Sequence, residues 1–73
     1  MSFNYKNLKL KIKEVYDDEP QVAFAKAMGM SYTALNQRLN NAVKWKTPEI
    51  AKACDLLHIP LSEAHLYFFV PEV

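Results

Sequence analysis

The 73-residue chain contains a single glycine, Gly29, and a single cysteine, Cys54. So little glycine argues against a turn-rich β-barrel or a low-complexity linker. One cysteine excludes an internal disulfide framework. Nowhere do the roughly 18 uninterrupted apolar residues of a membrane span occur, and the opening MSFNYKNLKLK has no apolar stretch of signal-peptide length. The expectation is therefore a cytoplasmic protein that does not use a membrane. The length has room for one domain and not for a two-domain enzyme.

Charge of one sign is also missing in bulk. Nine Lys and Arg against eight Asp and Glu leave a net +1, so the total exerts no strong pull toward nucleic acid. The distribution is less even. Residues 1–13 hold four lysines and no acid (+4), and residues 14–19 hold Glu14, Asp17, Asp18 and Glu19 (−4). Residues 20–48 hold Lys26, Arg38, Lys44 and Lys46 with no acid (+4), and residues 49–73 hold four acids against Lys52 (−3). A locally basic middle is thus hidden inside a balanced chain.

What is present is apolar content at helical spacing. The four prolines, Pro20, Pro48, Pro60 and Pro71, stand like boundaries between elements. From Asn4 to Tyr16 the alternation of Leu8, Leu10 and Ile12 with lysines has the period of a strand. Tyr5, Leu8, Ile12, Val15 and Tyr16 equally form one helical stripe, with Asn4 as N-cap, and the good helix formers favour helix with Leu10 left partly exposed. Pro20 suits the first turn of a second helix, whose apolar residues run through Val22, Phe24, Ala25 and Met28 into Gly29. A left-handed helix end at Gly29 explains why the one glycine falls there. Ser31 then caps a third helix from Tyr32 to about Asn40, and the short link is that of a helix-turn-helix.

Wound at 3.6 residues per turn, the third helix divides by face. Leu35 and Leu39 point one way, while Tyr32, Thr33, Asn36, Gln37 and Asn40 fall on the other. That face is polar but uncharged, the chemistry that reads base edges: an amide donates to and accepts from adenine, and Thr or Tyr can bond a base or touch a thymine methyl. A solvated face would more commonly carry Lys and Glu.

The segment from Gln21 to Leu39 resembles the helix-turn-helix of phage Cro and CI repressors, the lambda-repressor-like or XRE family. The matching positions are Gln21, Ala25, Gly29, Leu35 and Asn36. Lys44 to Thr47 lies where that family has the loop before its fourth helix, and Ile50 to Ser62 is similar to its closing Leu-Leu-x-Ile-x-Leu-Ser pattern, so the resemblance covers about residues 5–67. Within the family the chain looks like the short regulators of temperate phages of Gram-positive bacteria, in particular the lactococcal modulators of repression. The resemblance implies an all-α domain of four to five helices, with the helix-turn-helix at about residues 20–40 and a short apolar tail at 66–73. It also implies a role in the lysis–lysogeny switch beside a phage CI-type repressor, and no cofactor.

Carried over by position, the resemblance puts Tyr32, Thr33, Asn36 and Gln37 toward bases. It puts Gln21 on backbone phosphate, with Arg38, Asn41, Lys44 and Lys46 as further phosphate contacts. For Lys44 and Lys46, loop solubility is an equally good explanation. One departure matters: the family commonly has Thr or Ser just before the first Gln of the motif, and here Glu19-Pro20 follows Asp17 and Asp18. Three carboxylates beside a phosphate strand would weaken operator binding. They suit the basic face of a repressor instead, which makes Asp17, Asp18 and Glu19 a candidate protein-partner surface. Two functions follow as expectations: an anti-repressor acting by protein contact, or a Cro-like homodimer on double-stranded operator DNA.

The remaining residues point to no enzymatic chemistry. Cys54 suits a small core position, and Cys54, His58 and His65 lack the companions of a metal site. Neither catalytic nor metal-binding residues are expected. In a fourth helix starting at Thr47-Pro48-Glu49, Thr47 is the expected cap, and Ile50, Cys54 and Leu57 the buried stripe. A short fifth helix is expected from Ser62. Leu66 to Val70 is more apolar than one helix face can bury, so beyond core completion part of it suits a partner surface or a dimer edge. Trp45 suits either a core plug or an exposed anchor.

Overall fold

Leu8 and Ile12, one turn apart, lose all solvent contact and set the inward face of the first helix, α1 (Lys6–Val15). Leu10 between them stays 56% exposed, so the helical period prevails over the strand-like alternation. In the computed structural model, which describes residues 2–72, the chain continues through α2 (Pro20–Met28), α3 (Tyr32–Leu39) and α4 (Thr47–Leu56). A 3-10 turn (Leu61–Glu63) leads into the one-turn helix α5 (His65–Phe68). The fold is all-α, and among the described residues the sole strand-like feature is an isolated antiparallel bridge between Phe3 and Pro71. None of these helices is long and apolar enough to cross a membrane.

One core serves all five helices. Phe24 of α2, Leu35 of α3, Cys54 of α4 and Phe68 of α5 join Leu8, Ile12 and Leu57, each essentially without exposure. Of the stripe expected on α4, Cys54 and Leu57 are buried, Ala53 joins them, and Ile50 is only half-buried. Trp45 packs edge-on against Phe68 with ring centroids 5.1 Å apart, which makes it a core plug. The apolar tail divides: Phe68 completes the core, whereas Leu66 and Phe69 remain 46% and 48% exposed.

The link between α2 and α3 is three residues long and follows from Gly29. Its φ of 75° is the left-handed conformation that only glycine adopts without penalty. There the Gly29 N–H donates to Lys26 O and the Met30 N–H to Ala25 O, the paired bonds of a Schellman ending. From α4, Lys52 Nζ donates to the carbonyl of Met28 at 3.3 Å, placing a cation at the negative end of α2. Ser31 Oγ then accepts from the Ala34 N–H at 3.0 Å and starts α3.

Several boundaries differ from the sequence expectation. Asn4 does not occupy the cap position of α1, which falls to Tyr5; it acts from one residue upstream, its Oδ1 accepting from the Lys6 N–H at 2.8 Å. Thr47 is already inside α4 and makes no cap bond. The N-cap is Lys46, whose N–H is satisfied by Glu49 Oε1 at 2.9 Å. The fifth helix starts at His65 rather than Ser62, because the chain leaving Pro60 first takes the tighter 3-10 turn. Left-handed backbone is also more widespread than one glycine suggests, since Glu19, Asn41 and His58 all have positive φ.

A methyl group at Gly29 would meet no heavy atom closer than Lys52 Nζ at 3.8 Å, so the penalty for Gly29→Ala is conformational rather than steric. Urea denaturation should show a loss of about 1–2 kcal/mol with unchanged helix content. No loss would mean that the turn does not depend on glycine.

Candidate functional site

The register of α3 is set by its buried Leu35 and Leu39. Four residues apart, they dock one side of the helix on the core and turn the opposite side to solvent. Thr33 and Gln37 lie exposed there, whereas Tyr32, about 20° from Leu39 around the helix, is 49% accessible in the first turn at the edge of the docked side. Asn36 is half-buried at the margin of the same face. The four residues expected to face bases span an arc of about 140°, from Tyr32 next to Leu39 round to Gln37, with Asn36 the least accessible.

The residues expected to meet phosphate do not act as one set. Arg38 is folded inward. Its Nε and Nη2 donate to the two oxygens of Glu49 at 3.0 and 2.9 Å, its Nη1 donates to the carbonyl of Ala34 at 2.9 Å, and its side chain is only 12% exposed. A guanidinium so occupied ties α3 to α4 and is withdrawn from phosphate. Asn41 is likewise committed: its Oδ1 accepts from the Phe3 N–H and its Nδ2 donates to the Phe3 carbonyl, both at 2.9 Å. In both residues the polar atoms are used internally in the free chain. Lys44 and Lys46 are exposed in the α3–α4 loop and enter no ion pair among the described residues. Gln21 is half-buried in the first turn of α2.

Asp17, Asp18 and Glu19 are all exposed on the link into α2, with no ion pair among the described residues. Glu19 and Gln21 border the same groove as Tyr32, so the acidic edge and the tip of α3 belong to one continuous surface. The groove is also lined by Lys6, Lys9 and Lys13 of α1, which count toward the charge of residues 1–13 but which the sequence reading assigns to no site. Their i, i+3, i+7 spacing was the signal available for them.

Away from this surface, Cys54 is enclosed in the core, where burial pushes its thiol pKa up and keeps it protonated near neutrality. Among the described residues no three His, Cys, Asp or Glu side chains come together as a metal site.

Residues 1–71 match the family model described as "Protein of unknown function (DUF739)", and the chain belongs to that family. Comparison with curated proteins returned no match.

The bonds from Arg38 hold the Glu49 carboxyl below its ordinary value of 4.5, against the opposing effect of burial. The ionised form is thus favoured by folding, and its stabilisation is complete above the ordinary value and lost as pH falls through the lowered one. Glu49→Gln should cost about 1 kcal/mol at neutral pH, and the difference from the parent should shrink toward acid in pH-dependent urea titrations. A difference independent of pH would contradict the ion-pair assignment.

Proposed function

We propose that this DUF739 protein is a transcriptional modulator in a temperate-phage lysis–lysogeny switch, acting in the bacterial cytoplasm. It binds a CI-type repressor through its helix-turn-helix surface and opposes or redirects it. The observations that carry this reading are the withdrawal of Arg38 into its pair with Glu49 and, elsewhere on the surface, an acidic edge left open. Of the four positions assigned to phosphate beyond Gln21, Lys44 and Lys46 alone retain a free cation. From these assigned positions alone, two phosphate charges per copy correspond to a salt slope of about −2, short of the six to ten contacts of strong operator binders. Exposed carboxylates at Asp17, Asp18 and Glu19 repel phosphate and suit a repressor's basic DNA-reading face.

In mechanism, the acidic edge steers the encounter and the exposed tip of α3 supplies the specific contacts. Tyr32 offers a ring and a hydroxyl, and Thr33 and Gln37 offer neutral hydrogen-bonding groups that cost less to desolvate than charges. Covering the repressor's reading face removes it from the operator. The uncharged face of α3 favours a second reading, in which a homodimer places α3 of each copy in successive major grooves as a Cro-like repressor.

Titrating labelled operator DNA with the protein, with its CI-type repressor and with both separates the two. The modulator reading predicts no sequence-specific retention by the protein alone and a changed retention when both are present. Specific retention by the protein alone at moderate salt would sink it in favour of the Cro-like reading. Asp17→Lys with Asp18→Lys should weaken the repressor complex by about tenfold; unchanged affinity would remove that edge from the interface.

A further inference from the structure

Six large apolar side chains are strongly exposed among the described residues, and three of them, Leu10, Val22 and Tyr32, line one groove. It is about 810 Å³ in volume and lies between α1, the start of α2, both ends of α3 and the two chain ends. At 100° per residue, Lys6, Lys9, Leu10 and Lys13 fall within an arc of roughly 100° on α1, so three cations and one aliphatic share a single wall. None of these lysines is in an ion pair among the described residues, since the one pair on α1 joins Lys11 to Glu14. Glu19 and Glu72 also border the groove, but both come from outside α1 and leave its row of cations unbroken.

We infer that this groove is a docking site for an acidic amphipathic helix of a protein partner. Lys6 to Lys13 spans about 10.5 Å of helix axis, the length over which a ligand helix presents carboxylates at i, i+3 and i+7. Such a helix laid along α1 pairs its acids with the three lysines and turns its apolar positions toward Leu10, Val22 and Tyr32. The charge on the wall selects the acidic helix over a basic or neutral one. The exposed aliphatics select it over duplex DNA, which meets lysine with phosphate but has nothing along its backbone to cover Leu10 and Val22.

The inference stands apart from the repressor reading, because it rests on α1 and takes a ligand of the opposite charge to the repressor's basic face. It also adds regulation. Gln21 and Tyr32 line the same groove, so an occupant masks one border of the α2–α3 surface and competes with whatever binds there.

The test uses the full chain and a labelled synthetic helical peptide of about four turns, with glutamates at i, i+3 and i+7 and leucines beside them. A control peptide replaces every glutamate by glutamine, and an unlabelled duplex of unrelated sequence serves as competitor. The glutamate peptide should bind in a salt-dependent manner, at least about tenfold more tightly than the glutamine control, and shift the backbone amides of Leu10, Val22 and Tyr32 in NMR spectra. Lys9→Glu with Lys13→Glu, both exposed positions, should lower its affinity about tenfold or more while circular dichroism stays unchanged. Absence of binding, equal affinity for both peptides, or shifts confined to another face would overturn the proposal. So would displacement of the peptide by the duplex together with loss of duplex binding in the charge-reversed variant, which would make the groove a nucleic-acid surface. These outcomes are independent of any repressor, so a failure here leaves the modulator reading untouched, and a failure of that reading leaves the groove to be judged on its own.

Discussion

Glu49 holds two parts of the molecule with one carboxylate. It accepts the Lys46 N–H at the start of α4, and it grips the only arginine of the chain in a two-pronged pair that reaches back to α3. Both ends of this bond lie behind the exposed face of α3, so it braces that helix without occupying its surface. Lys52 adds a second tie from α4, to the carbonyl end of α2. Together these place α2 and α3 on a fixed support, with the left-handed turn at Gly29 setting how they meet. Breaking the Glu49 pair would also leave a half-buried guanidinium without its counter-charge, which is why its contribution exceeds that of an exposed pair.

The same interaction shapes what the surface can bind. With Arg38 turned inward, the tip of α3 is polar and neutral, and its charged surroundings are divided: carboxylates at Asp17 to Glu19 and lysines along α1. A phosphate strand approaching the tip would meet carboxylates on one border and cations on the other. A protein with charges of both signs can satisfy both borders. On the proposed reading, specificity resides in neutral groups such as Tyr32 and Gln37, and the flanking charges contribute mainly to the rate and orientation of encounter.

Much of the fold was legible in local sequence. The Leu8–Ile12 stripe, the proline opening α2, the glycine closing it, the Ser31 cap and the Leu35–Leu39 spacing each act over one or two turns, and each appears in the structure at the expected residue. What was hidden depends on partners distant in the chain. Arg38 meets Glu49 across 11 residues, and Asn41 meets Phe3 across 38. Neither spacing carries a periodic signal, so both side chains look available until the helices are assembled. The pairing of the two ends, with Asn4 N–H on Val70 O and Glu72 N–H on Ser2 O, is hidden for the same reason. The left-handed Glu19 was illegible because nothing in its residue type announces that conformation, whereas Asn41 and His58 are of types enriched there, a signal weaker than glycine's.

The central claim is that the tip of α3 and the acidic link beside it form a surface for a repressor's DNA-binding domain. The most direct measurement is an NMR titration of the isotopically labelled protein with that domain in the absence of DNA. The account predicts that amide shifts concentrate at Tyr32, Thr33 and Gln37 and extend through Asp17, Asp18 and Glu19. Shifts confined to the opposite end of the chain, around His58 to Glu63, or no shifts at all, would contradict it.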